Sequence, residues 1–204
     1  AALDGTAAGD FWDNTLGIGS NDTPKASPSG NGLVVYSLPT IVDSLAIGVS
    51  YASEGENDAG STAWGTTYTG IEGLSVSLGQ GTDNSTTTVN NDQTIMKASY
   101  AYGSFTFAYS DNEMDHTTET KDQEVKSMSL AYTISDSMSV KYGEETISKT
   151  GKSSDIEVEG LTGSYTSGGM TVALTQIEAT NVDHSNVTAF NDNEFWKVSL
   201  SFAF

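Results

Sequence analysis

The chain has no cysteine and no arginine, and only three prolines in 204 residues. Absence of cysteine rules out a disulfide framework and fits an exported protein that does without one. The basic side chains are lysines alone, eight of them against 27 Asp and Glu, for a formal net charge of −19. Such a chain repels a phosphate backbone, which excludes nucleic acid as a partner. Only 36% of residues are hydrophobic, and no apolar run approaches the ~18 residues a membrane helix needs. Half-apolar strands are still allowed. Acidic excess would point to disorder if aromatics were scarce. Nine Tyr, seven Phe and three Trp are present, and they recur on one parity, so disorder is rejected. The opening Ala1-Ala2-Leu3-Asp4-Gly5 carries no basic-plus-apolar export signal. Such a signal is expected to have been removed, or further chain to precede it.

What is present is alternation. Trp196, Val198, Leu200, Phe202 and Phe204 are large and apolar, while Lys197, Ser199, Ser201 and Ala203 between them are small or charged. A period of two sends these sets to opposite faces of a strand. The same alternation runs through Leu45, Ile47, Val49 and Tyr51, then Leu74, Val76 and Leu78. It returns at Met96, Ala98, Tyr100 and Tyr102, and at Phe105, Phe107 and Tyr109. Met128, Leu130, Tyr132 and Ile134 continue it, followed by Met138, Val140 and Tyr142. Short turns at 71–73, 103–104, 135–137 and 167–169 alternate with long polar stretches at 53–61, 82–92, 111–123, 148–154 and 180–193. Strands of about ten residues joined this way predict a transmembrane antiparallel up-and-down β-barrel, with short periplasmic turns and long extracellular loops. A soluble sandwich or solenoid shares the period, but not small polar residues behind nearly every greasy face with aromatics at both ends. One segment departs from the rule. Ile156 and Val158 lie on the opposite parity to Leu161 and Tyr165, which predicts a bulge or an extramembrane extension.

About eleven strands are expected from residue 32 onward, and bacterial barrels close on an even number. A strand at 11–19 would complete a barrel of twelve. Resemblance points elsewhere. The run Asn31-Gly32-Leu33-Val34-Val35-Tyr36-Ser37-Leu38-Pro39 with Leu45–Ala52 resembles the strand pair after the constriction loop of general bacterial outer-membrane porins. Phe11-Trp12-Asp13-Asn14 looks like that acidic loop, and Leu200-Ser201-Phe202-Ala203-Phe204 resembles the family's C-terminal signature. The resemblance implies that 1–31 are the constriction loop and that 32–204 supply about eleven strands of a sixteen-stranded barrel. It further implies a homotrimer in the bacterial outer membrane, in contact with lipid and lipopolysaccharide, with no enzymatic activity and no cofactor. The chain would then be a fragment lacking its first strands. The other reading is a complete twelve-stranded barrel with a substrate-specific, structural or adhesive role.

No catalytic constellation stands out, and His116 and His184 both fall in polar loops. Lys97, Lys141 and Lys197 sit on the parity opposite the greasy face and should point into a wet lumen. By the resemblance they would face Asp4, Asp10 and Asp13 across an eyelet whose transverse field filters solutes. The acidic stretches with Glu54, Glu56 and Asp58, and with Asp111, Glu113 and Asp115, would crowd the extracellular mouth. Hard carboxylate oxygens there could hold Ca²⁺ loosely, although a solvated acidic surface is the plainer role. Together these features predict a water-filled channel for passive diffusion of small hydrophilic solutes, with a preference for cations from the mouth's negative field.

Overall fold

The structure is a computed structural model that describes residues 33–39, 42–53, 60–86, 89–118, 122–184 and 192–203. Eleven strands follow one another: β1 (Leu33–Ser37), β2 (Leu45–Ala52), β3 (Ser61–Tyr68), β4 (Leu74–Thr86), β5 (Val89–Tyr102), β6 (Phe105–His116), β7 (Gln123–Ser135), β8 (Met138–Lys149), β9 (Ile156–Ser167), β10 (Met170–Thr180) and β11 (Asn193–Phe202). Each pairs antiparallel with the next, so order in the sheet is order in the chain, and β1 and β11 do not pair with each other. The meander is the expected one. A proposed strand at 11–19 and the loop at 1–31 lie outside the described residues.

Turns fall where the sequence placed them. Gly73 shows why one of them requires glycine. Its φ of +76° belongs to the left-handed region, and a Cβ there would come within 2.2 Å of the Ala101 carbonyl oxygen. The bare backbone instead accepts the Ala101 N–H at 2.8 Å, which ties the β3–β4 turn to the adjacent β5.

Cross-strand register fixes the two faces. On the outer face lie Phe107, Leu130, Tyr142, Leu174 and Leu200 with their neighbours of the same parity. These side chains are exposed, Leu130 at 47% and Val198 at 73%, although they are the greasiest in the chain. An exposed, continuous apolar face of this extent belongs in lipid. Aromatics pack at its turn-side edge, where the Phe105 and Tyr132 rings meet at 4.6 Å between centroids. The inner face behind it is Ser, Thr, Gly and Ala. Hydroxyls there pair across strands, as in Thr67–Ser77 at 2.9 Å, Ser139–Ser164 at 2.7 Å and Thr162–Thr175 at 3.1 Å.

The strands are longer than the alternation of greasy residues implies. Within 82–92 and 111–123, expected as loops, β4 continues to Thr86, β5 starts at Val89 and β6 runs to His116. The reason is an inversion of polarity along each strand. Past Tyr109, the outer positions of β6 are Asp111, Glu113 and Asp115; past Tyr142, those of β8 are Glu144, Thr146 and Ser148. Over the same stretch apolar residues appear on inner positions, chiefly of β7–β10. Val125, Ile147, Ile156, Val158, Ile177 and Ala179 form one buried cluster, with Phe195 packed against it. The period of two never stops; only the face it favours changes. For β9 this decides between the two expectations. Pairing runs unbroken from Met138–Tyr165 to Ile147–Ile156, with no bulge, so Ile156 and Val158 mark an extension of the wall beyond the membrane. Each fully buried Ile or Val in the cluster contributes about 1.5–3 kcal/mol relative to exposure.

Candidate channel wall

The inner face is where a solute would meet the protein. Two transverse rows carry most of its charge, and Lys149 lies beyond them. Lys97 pairs with Ser110, Ser110 with Ser127, and Ser127 with Glu145, from β5 to β8. Lys141 pairs with Thr162, Thr162 with Thr175, and Thr175 with Lys197, from β8 to β11. All three lysines expected inside are therefore on inner positions. Lys97 and Lys141 each take part in an interaction within the chain. Glu145, only 5% exposed, accepts a hydrogen bond from Ser127 Oγ at 2.5 Å. Sequence reading missed it, because Glu144 and Glu145 are adjacent acids and parity alone had singled out only lysines. Its spacing of four from Lys141 was the available signal. Ser50 Oγ, Gln93 Oε1 and Ser110 Oγ are buried on this face without a hydrogen-bond partner among the described residues, a condition buried polar atoms tolerate beside water.

Charge is sorted almost completely between the faces of β5–β11, with Lys126 and Glu145 the two exceptions. Asp92, Asp111, Glu113, Asp115, Glu124, Glu144, Glu157, Glu159, Glu178 and Glu194 occupy outer positions, with Lys126 among them. Inner positions hold Lys97, Lys141, Lys149 and Lys197 against Glu145. The large net negative charge thus does not line this wall. Asp111, Glu113 and Asp115, expected in a mouth loop, lie in β6 on the outer face. Burial, with Asp115, Glu124 and Asp111 close by, raises the Glu113 pKa. Lys126 forms a 2.6 Å ion pair with Glu124, and that hydrogen bond raises its pKa. Among the described residues no group of three or more His, Cys, Asp or Glu could hold a metal ion. Asp4, Asp10, Asp13, Glu54, Glu56 and Asp58 lie outside the described residues.

The boundary between apolar band and carboxylates is built from one repeated contact. Tyr142 Oη donates to Glu144 at 2.7 Å and Trp196 Nε1 to Glu194 at 2.7 Å, each two residues along the same strand. Tyr109 Oη does the same to Asp111 at 3.3 Å. Aromatics with a polar tip suit a membrane interface. Just beyond them Glu144, Glu159, Glu178 and Glu194 are direct cross-strand partners in one row. Gln176 Nε2 donates to Glu178 and Glu194 at 2.9 and 3.2 Å, but like charges directly opposite still repel. Glu159→Lys, between two of them, is expected to stabilise the folded protein by about 0.5 kcal/mol, and less in high salt. Denaturant midpoints at two ionic strengths check this.

The two histidines close turns. The His116 N–H donates to Asp122 Oδ1 at 2.8 Å, and its Nδ1 accepts the Thr118 N–H at 2.8 Å. His184 Nδ1 lies 3.0 Å from the Ser154 carbonyl oxygen.

The chain was compared with known proteins. The sequence pattern of Gram-negative porins matches residues 1–186. No individual curated protein matches by sequence. Among solved structures, an anion-selective porin from Comamonas acidovorans superposes with a TM-score of 0.65 at 15% identity, over 84% of this chain and 59% of the other. OmpT, an outer membrane protein of Vibrio cholerae, gives 0.59 at 18% identity, over 83% and 63%. OccK5 of Pseudomonas aeruginosa gives 0.60 at 10% identity, over 83% and 59%. At these identities the likeness concerns the fold, and the chain spans about 60% of the length of these structures. Exposed apolar face, aromatic boundary, hydroxyl-lined interior and matched pattern agree: this chain belongs to the Gram-negative porins and resides in the bacterial outer membrane.

Proposed function

We propose that the chain forms much of a water-filled channel through which small hydrophilic solutes and ions diffuse passively. The observation that carries this reading is the inner face of β2–β11 beside the apolar band: Ser, Thr, Gly and Ala, with lysines at Lys97, Lys141 and Lys197. Ammonium groups on that face are tolerable only where water reaches them. A homotrimer follows from the porin resemblance, as does an eyelet in which these lysines face Asp4, Asp10 and Asp13. The outer carboxylates would lie among lipid and lipopolysaccharide headgroups.

Cation preference, as expected from net charge, finds support only in carboxylates at the mouth and on the proposed loop. The wall of β5–β11 is basic and opposes it. Single-channel recording of the full-length protein in planar bilayers tests the channel, and absence of open-channel conductance would favour a structural or adhesive barrel instead. In a salt gradient, Lys141→Glu and Lys197→Glu should each move the reversal potential toward cation selectivity, whatever the sign in the parent protein. Unmoved potentials would mean that these side chains do not face the ion path.

A further inference from the structure

The connection after β10 turns back over the sheet. Asn181 and His184 have φ of 54° and 56°, left-handed backbone at two non-glycine residues, at the two ends of a single 3-10 turn (Val182–His184). Such conformations are uncommon outside glycine and need surrounding contacts to hold them. Those contacts are present. Val182 is 8% exposed and belongs to the cluster of Val125, Ile147, Ile156, Val158, Ile177 and Ala179. Every strand residue of that cluster is on an inner position, so Val182 lies inside the wall. The turn is also tied to the β8–β9 connection. Ser153 Oγ donates to the His184 carbonyl at 3.2 Å, and His184 Nδ1 donates to the Ser154 carbonyl.

We propose that this inward-folded turn is a constriction at the extracellular mouth, separate from the lysine-bearing rows, and that it limits the size of solute admitted. It stands on the β7–β10 side of the interior, against the aliphatic cluster, with Glu145 and Lys149 the charged inner positions of β8 beside it. Passage is left to the side of β2–β6, whose inner positions toward the mouth include Ser50, Ser61, Gln93 and Asn112. Among the described residues the turn is anchored by the Val182 side chain and two hydrogen bonds, so few substitutions are needed to release it.

The proposal rests on the channel reading, and the experiment separates the two. Val182→Asp puts a carboxylate into the aliphatic cluster and should release the turn. In the full-length protein it is expected to raise single-channel conductance about twofold by widening the pore, and to admit larger sugars in liposome swelling. Ser153→Ala/His184→Ala, which removes the ties and leaves the cluster intact, should act in the same direction more weakly, and it serves if Val182→Asp does not insert. A parent protein that fails to conduct would defeat the channel reading itself. A conducting parent whose inserted variants match it in conductance and in largest sugar admitted would overturn the constriction.

Discussion

Leu130→Arg is expected to destabilise the folded barrel by about 2–4 kcal/mol, the cost of a guanidinium on the lipid face near mid-membrane. Leu130 lies in the middle of the outer apolar band, with Phe107 and Tyr142 as its direct cross-strand partners. It is 47% exposed in the isolated chain, so a soluble protein would barely register the change. Its neighbour Ala131 is on the inner face beside Thr106 and Lys141. Ala131→Lys should cost less, about 0.2–1 kcal/mol from repulsion by the Lys141 ammonium directly opposite, because its own ammonium group enters the lumen. The pair of substitutions tests the face assignment one residue apart. Denaturant unfolding of the full-length protein in lipid vesicles reads both, and equal effects would mean that the outer face does not meet hydrocarbon.

Ile177→Ala should cost about 2–5 kcal/mol, the range for truncating a buried isoleucine that leaves a cavity. Ile177 is 2% exposed in the cluster that covers the inner face above the membrane band. Its partners on β9 and β11 are Gly160 and Phe195. Glycine opposite cannot fill the space, and Phe195 is held by the strand on which it sits. Leu174, one of the large outer residues of the same strand, is 46% exposed. Leu174→Ala should lose much less in detergent, where a flexible apolar phase closes over the truncated site. Comparable losses at the two positions would mean that the cluster is not the packed core of the extension.

Much of this wall was legible from the order of residues. Alternation located the strands, small polar residues opposite aromatics identified the lipid side, and parity sent Lys97, Lys141 and Lys197 inward. The upper half of the wall was not legible in the same way, for a physical reason. On β6 and β8 the greasy parity ends at Tyr109 and Tyr142. Beyond those residues the apolar positions continue on the other parity, sparsely: Ile147 on β8, Ile156 and Val158 on β9, Ile177 on β10. On any one strand that looks like a polar loop. Only cross-strand register gathers them into a core. The same holds for the outer glutamates, each ordinary alone and a row only when β8 to β11 are aligned. Charge misled most where it was summed. A total of −19 gives no hint that the acids of β5–β11 stand almost wholly outside.

That row of Glu144, Glu159, Glu178 and Glu194 also sets how deep the protein can sit. Lowering the barrel by one pair of residues along its strands, roughly 6.6 Å, would carry four carboxylates together past the tyrosine and tryptophan that cap the apolar band. Raising it by the same step would strip lipid from Leu161 and Leu174. Because the four acids lie on adjacent strands they move as one rigid edge, so the penalty for displacement is shared and steep. The row works as a float line, holding the wall at one level while the surrounding lipid adjusts its thickness to meet it.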